Sequence, residues 1–284
     1  MAGYDDFVLS HRVVFAPALL LLAMVFAGDN AVAADLSPAA ASAFDEAVRL
    51  VEARLDDERA GKLPFLWIDR LPEAQQRDAR ARLANGAIEV ERLPPRIQGP
   101  PLSDALLHHW MATALVPRAS LDRVVRLMQG YNSYQDVYRP TIRRSRMIAR
   151  DGDTFTVALQ LFTKKVISVV LNTESRVAYL PVNTSRVQVR SVSVRIAEVQ
   201  DPGKADEREA PIGHDSGFLW RFNNYCALDQ HVEGTYVQCE TLSLTRDAPF
   251  GLGWLVGPFV TSIPRESLEF TLGAMRTSLQ GGVR

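Results

Sequence analysis

Residues 217–280 read GFLWRFNNYCALDQHVEGTYVQCETLSLTRDAPFGLGWLVGPFVTSIPRESLEFTLGAMRTSLQ, and their order decides the fold. Two long strand-like runs meet at a turn between Asp229 and Gly234. An uncharged Gly/Pro stretch, 248–264, follows. Leu268, Leu272, Met275 and Leu279 then share one stripe at helical spacing. This predicts a helix that starts near Ser262 and Pro264 and stops at Gly281-Gly282. A sheet closed by a long helix lying across it implies a concave face, and concave apolar surfaces hold ligands.

The chain's two cysteines flank that turn. With the turn centred near His231, Cys226 faces about Tyr236 and Cys239 faces about Asn223. Side chains alternate along a strand, so the thiols then point to opposite faces. A different register brings them together.

Working outward, Arg186–Val199 is a strand whose apolar phase slips. Val187 and Val189 are odd, whereas Val192, Val194 and Ile196 are even, which predicts a β-bulge. Val166–Leu171 is an apolar run broken only by Ser168, as in a strand buried on both faces. Thr154–Phe162 alternates, with Phe155, Val157, Leu159 and Leu161 together, and Asp151-Gly152-Asp153 is the hairpin turn before it. Residues 201–217 are charged and loop-like. Leu106–Val116 reads as a strand, and Ser120 caps a short helix ended by Gly130. Further back, Ser37-Pro38 opens a helix with Phe44, Val48, Val51 and Leu55 on one side. A second helix runs from Pro72 to Asn85-Gly86. Ala87–Arg92 is either a short strand or a linker, and the Pro-rich run 93–101 marks a boundary. The sum is α+β: a curved antiparallel sheet wrapped around a long C-terminal helix (102–284), with a helical N-terminal extension (34–101).

Residues 13–28, VVFAPALLLLAMVFAG, carry no charge; Arg12 precedes them and Ala31-Val32-Ala33 follows. This is the anatomy of a signal peptide, 1–33, cut after Ala33. The run is short of the roughly 20 residues of a membrane span, which disfavours an uncleaved anchor. The expected location is therefore the bacterial periplasm or the medium. The net charge is −1. Asp5, Asp6 and Asp29 against Arg12 make the leader −2, so the remainder is +1. A near-neutral chain gives no argument for nucleic-acid binding.

The passages HHWMATALVPRASLDRVVRLMQGYNSY (108–134), with Tyr131 and Tyr134, RIAEV (195–199) and Gly217–Leu279 resemble the START-like superfamily (SRPBCC, helix-grip fold). The resemblance covers about residues 102–280, and looks most like an exported bacterial branch. That superfamily includes lipid-transfer proteins, polyketide cyclases, and hormone- and quinone-binding proteins. The resemblance implies binding or transport of a hydrophobic small molecule, lipid or isoprenoid-like, in an internal cavity. It assigns no residue a chemical role.

Candidate cavity-wall residues are Trp110, Phe155, Phe162, Trp220, Phe222, Tyr225, Tyr236, Trp254 and Phe259. Plain core packing is the alternative for each. Trp220, Phe222 and Asn224 share one face and Arg221, Asn223 and Tyr225 the other, with the inward face left open. Arg195 or Arg221 paired with Glu240 is a candidate polar anchor, because a buried charge needs a partner; solvent-facing charges are the alternative. The uncharged stretch is the start of the gripping helix, a lid, or a membrane-touching edge. Arg139, Arg143, Arg144, Arg146 and Arg150 either meet anionic lipid head groups or form a solvated edge strand.

His108 and His109 are neighbours on a strand and cannot chelate one ion from one face. There is no H-E-x-x-H, no C-x-x-C and no Ser/His/Asp set, so no metal, cofactor or catalytic residue is expected. The spacing Gly251-x-Gly253-x-x-x-Gly257 does not fit a dinucleotide fingerprint and reads as bends. Two rivals to ligand carriage stand. One is a cyclase- or hydrolase-like enzyme using a Tyr or His with Glu240 or Glu198. The other is an interaction module with a filled cavity.

Overall fold

The computed structural model describes residues 35–94, 102–164, 168–212, 215–247 and 253–281, with backbone alone at 253–261. The leader and its expected cleavage point lie outside the described residues. The strands are β1 (Ile88–Arg92), β2 (Ala105–Pro117), β3 (Ile142–Asp151), β4 (Thr154–Lys164), β5 (Ser168–Asn183), β6 (Arg186–Gln200), β7 (Arg208–Glu209), β8 (Arg221–His231) and β9 (Gly234–Arg246). They form one antiparallel sheet in the order β1-β2-β9-β8-β6-β5-β4-β3, with β7 against β6. The helices are α1 (Pro38–Arg59), α2 (Glu73–Ala84), α3 (Leu121–Gln129), the one-turn α4 (Tyr134–Val137) and α5 (Gly253–Gly281). The described residues belong to one compact unit.

Two helical layers sandwich the sheet. On the concave face, Leu268, Leu272, Met275 and Leu279 of α5 pack with α3 and with Ala112, Ala114, Val116, Val187, Val189, Cys226, Leu228, Val237 and Cys239. This is the helix-grip arrangement. On the outer face, Phe44, Ala47, Val51 and Leu55 of α1 pack on Leu107, Tyr225, Leu242 and Leu244. Phe65, Ile68, Ala79 and Leu83 continue that layer over Leu115, Ala227 and Tyr236. The N-terminal residues therefore cover the outer face of the sheet and also supply one edge strand, β1, so that Ile88–Arg92 of the 87–92 stretch is strand rather than linker.

The closing hairpin differs from the expected register. Val232 and Glu233 alone form the turn, with His231 opposite Gly234. This moves the pairing by three residues, and an odd slip flips faces. Cys226 now lies across from Cys239, and the two form a disulfide with Cα atoms 4.1 Å apart. Gly234 fixes this register. It sits at φ +146°, and a Cβ there would lie 2.2 Å from the Val116 carbonyl oxygen of β2. The glycine ends the turn because only a bare backbone fits against β2.

β6 does carry a bulge, but later than the valine phase implies: Val192 stays opposite Arg176 on the outer face, and of the three even residues only Ile196 turns inward. Ser175 pairs with Ser193 and Glu174 with Arg195, leaving Val194 as the extra residue, 58% exposed. Beyond it Ile196 turns to the concave face, opposite Thr173. β5 continues well past Leu171, to Asn183. The long helix starts at Gly253 rather than near Ser262. Gly253, Gly257, Pro258 and Pro264 thus lie within a helix, where Gly and Pro signal breaks only as a weak prior that tertiary packing overrides.

Candidate functional site

Strand alternation sorts the candidate residues into two groups. Trp110 on β2, Phe155 on β4 and Phe222 on β8 occupy the concave face, as shown by their strand-mates Ala112, Val157 and Cys226 in the α5 core. Trp220, Tyr225 and Tyr236 lie on the outer face under the N-terminal layer, where they are core residues. Phe162 also faces outward, with the Arg143 guanidinium 3.7 Å over its ring. The side chains of Trp254 and Phe259 lie outside the described residues.

The expected polar anchors do not assemble. Arg195 pairs with Glu209, and Arg221 is exposed on the outer face. Neither meets Glu240. Glu240 instead bonds Arg54 of α1 and accepts from His109 Nε2 at 2.5 Å. Arg54 also pairs with Glu58, which holds Arg70 in turn. This five-residue chain runs between the N-terminal helices and the sheet, with Glu58 and Glu240 each 2% exposed and the arginines Arg54 and Arg70 partly open to solvent. Burial alone pushes Glu240 up, but the His109 hydrogen bond and the Arg54 charge overcome it and hold the carboxyl below its usual 4.5. At Glu58 burial wins over both arginines, and its carboxyl is raised. Sequence reading missed Arg54 and Glu58 as partners, because nothing local shows that the first helix lies across β9.

At the end of the concave face where β2 starts and β9 ends, the lining changes character. Trp110, Phe222 and Leu159 are half-buried, and small polar side chains join them: Thr241, Ser243, Thr173 and Ser193. The Trp110 indole N–H is buried and has no acceptor among the described residues. The same holds for Trp220, but in the closed outer layer. His108 lies beside Trp110's row, bonded to Thr245 Oγ1 at 3.0 Å. Its neighbour His109 points the opposite way, as alternation requires. Glu198 accepts from the Ser216 backbone and hydroxyl at 3.0 Å, and burial raises its carboxyl. Deeper in the grip, Phe155 sits between Tyr131 and Tyr179, whose hydroxyls are 2.9 Å apart. Burial pushes Tyr131 up to about 12, so this cluster is neutral packing. Among the described residues no group of three metal-ligating side chains gathers.

His108 makes a pH prediction. Burial, with the Arg92 charge, lowers its pKa from 6.5 to about 4. The folded state keeps it neutral where the unfolded chain already binds a proton. Stability should therefore fall as pH drops from 6.5 toward about 4, with at most about 1.4 kcal/mol lost per pH unit. Urea melts across that range check it, and a His108→Gln variant should lose the slope.

No protein-family model and no curated protein matches the chain. Among solved structures, it is similar to the STAR-related lipid transfer protein of Xanthomonas axonopodis, at 18% identity and TM-score 0.47, over 69% of this chain and 94% of that one. It is similar to TTHA0849 from Thermus thermophilus, at 16% identity and TM-score 0.44, over 61% and 98%. It is similar to the Zhui aromatase/cyclase of a Streptomyces species, at 15% identity and TM-score 0.40, over 63% and 97%.

Proposed function

We propose that this chain binds or carries a hydrophobic small molecule, lipid- or isoprenoid-like, between the concave sheet face and α5, without chemistry on it. One observation carries the reading: the buried indole N–H of Trp110 on the concave face, which meets no acceptor among the described residues. A buried donor left unpaired costs about 1–3 kcal/mol, and a ligand carbonyl or hydroxyl oxygen beside it removes that cost. Phe222 and Leu159 are further half-buried apolar side chains on the same concave face, the kind of surface that lines ligand sites. The acid–base pair best placed for chemistry, His109 with Glu240, is closed off on the other side of the sheet, which disfavours the enzyme reading.

The protein works outside the cytoplasm in this reading, cut after Ala33, and touches a membrane transiently to load or release its cargo. The apolar leader supports export, and so does the Cys226–Cys239 disulfide, a bond that persists in oxidising compartments. Native mass spectrometry of gently purified protein tests carriage. An apolar adduct released by unfolding is expected. A chain that always flies bare and takes up no lipid from micelles would favour the filled-cavity module instead.

A further inference from the structure

The arginine row of the sequence has a definite place. β3 is the edge strand of the sheet opposite β1, and Arg143, Arg144, Arg146 and Arg150 on it are all exposed. Arg139 just before it and Arg176 on β5 are exposed as well. None of these six forms an ion pair among the described residues; Arg139 and Arg150 donate only to the Gln135 and Gly152 carbonyls. The contrast is with the N-terminal layer, where Arg54, Arg59, Arg70, Arg77, Arg80 and Arg82 each hold a carboxylate. The nearby acids, Asp136, Asp151, Asp153 and Glu174, bridge to none of the six.

Two further features decide what such an edge fits. The strand edge is partly taken: the Met147 N–H donates to Asn132 Oδ1 at 2.9 Å, and Ser145 Oγ bonds Gln135. An added peptide strand would find the Met147 N–H already taken and the Gln135 side chain beside it. Ile148, the extra residue of a β3 bulge, is 44% exposed between Arg146 and Arg150. An apolar side chain among unpaired cations suits the boundary between lipid head groups and acyl chains, where both find partners. A nucleic-acid backbone offers Ile148 nothing.

We propose that the β3 edge, with Arg143, Arg144, Arg146 and Ile148 at its centre, docks the protein on anionic lipid bilayers. This deepens the carrier reading above, since a carrier must meet the membrane it loads from.

The test is co-sedimentation of the chain from Ala34 onward, a compact unit of its own and the form the carrier reading expects, with vesicles of phosphatidylcholine alone or of equal parts phosphatidylcholine and phosphatidylglycerol. Binding to the mixed vesicles only, weakened by salt, is expected. The variant Arg143→Gln/Arg144→Gln/Arg146→Gln should partition about 100-fold more weakly, at about 5-fold per cation near an anionic surface. A control with equal charge loss elsewhere, Arg59→Gln/Arg77→Gln/Arg126→Gln, should stay close to wild type. Equal binding to both vesicle types, an unchanged β3 variant, or a control that loses as much would overturn the proposal. So would binding to a DNA duplex or polyglutamate in preference to vesicles. The salt response of the wild-type chain is a readout that needs no variant to fold. A chain that docks on mixed vesicles but takes up no lipid from neutral micelles sinks carriage and leaves the docking edge standing. The reverse pattern sinks the docking edge alone.

Discussion

Replacing Glu240 with Gln should destabilise the protein by about 3–5 kcal/mol, the usual cost of removing one partner from a buried charge network. The substitution keeps the shape and removes the charge. Two guanidiniums, Arg54 and Arg70, would then share the single carboxylate of Glu58 under α1, with His109 facing a neutral amide. Adding Arg54→Met should recover part of the loss, because an apolar replacement of a whole buried pair is often near neutral. Acid should act in the same direction. Glu240 is held below 4.5, so the stability it contributes is present above that value and is lost as pH falls through its lowered pKa. Glu58, raised by burial, works against this, since its protonation relieves a cost. Urea unfolding of the single and double variants at neutral pH measures both effects. A Glu240→Gln loss under about 1 kcal/mol would mean that α1 does not seal the pair from water.

The second large effect concerns the closing hairpin. Removing the disulfide by Cys226→Ala/Cys239→Ala should cost about 3 kcal/mol on the chain-entropy model for a short loop. The bond ties β8 to β9 in the middle of the sheet, and both sulfurs face the α5 core. The loss should therefore appear in the global unfolding transition of the oxidised and variant chains. A variant that melts with the wild type would show that the strand pairing and Gly234 already fix the register unaided.

The elements most visible in the sequence were those whose signal is local. The bulge at Val194 announced itself as a phase change, the short helix after Ser120 as a capped apolar stripe, and α1 as a Pro-led heptad-like spacing. The concave position of Trp110 and Phe222 needed only alternation plus one known face. What stayed hidden depends on contacts distant in sequence. The hairpin register is decided by Gly234 meeting Val116, more than a hundred residues earlier. Glu240 meets Arg54 of α1 and His109 of β2 rather than Arg195 or Arg221, and no local pattern brings either partner to it. The aromatics Trp220, Tyr225 and Tyr236 looked like cavity walls because the sequence does not say that the N-terminal helices cover the outer face. The early start of α5 was hidden because Gly and Pro punctuate most sequences but not this helix.

The central claim is that a hydrophobic ligand lies on the concave face against Trp110. The most direct measurement is the indole N–H resonance of Trp110 in a ¹⁵N-labelled chain, assigned with a Trp110→Phe variant among the four tryptophans. Titration with a micellar lipid should shift this resonance downfield as an oxygen acceptor arrives, while that of Trp220, under α1, stays in place. A Trp110 signal that never moves while lipid is demonstrably bound would contradict the claim.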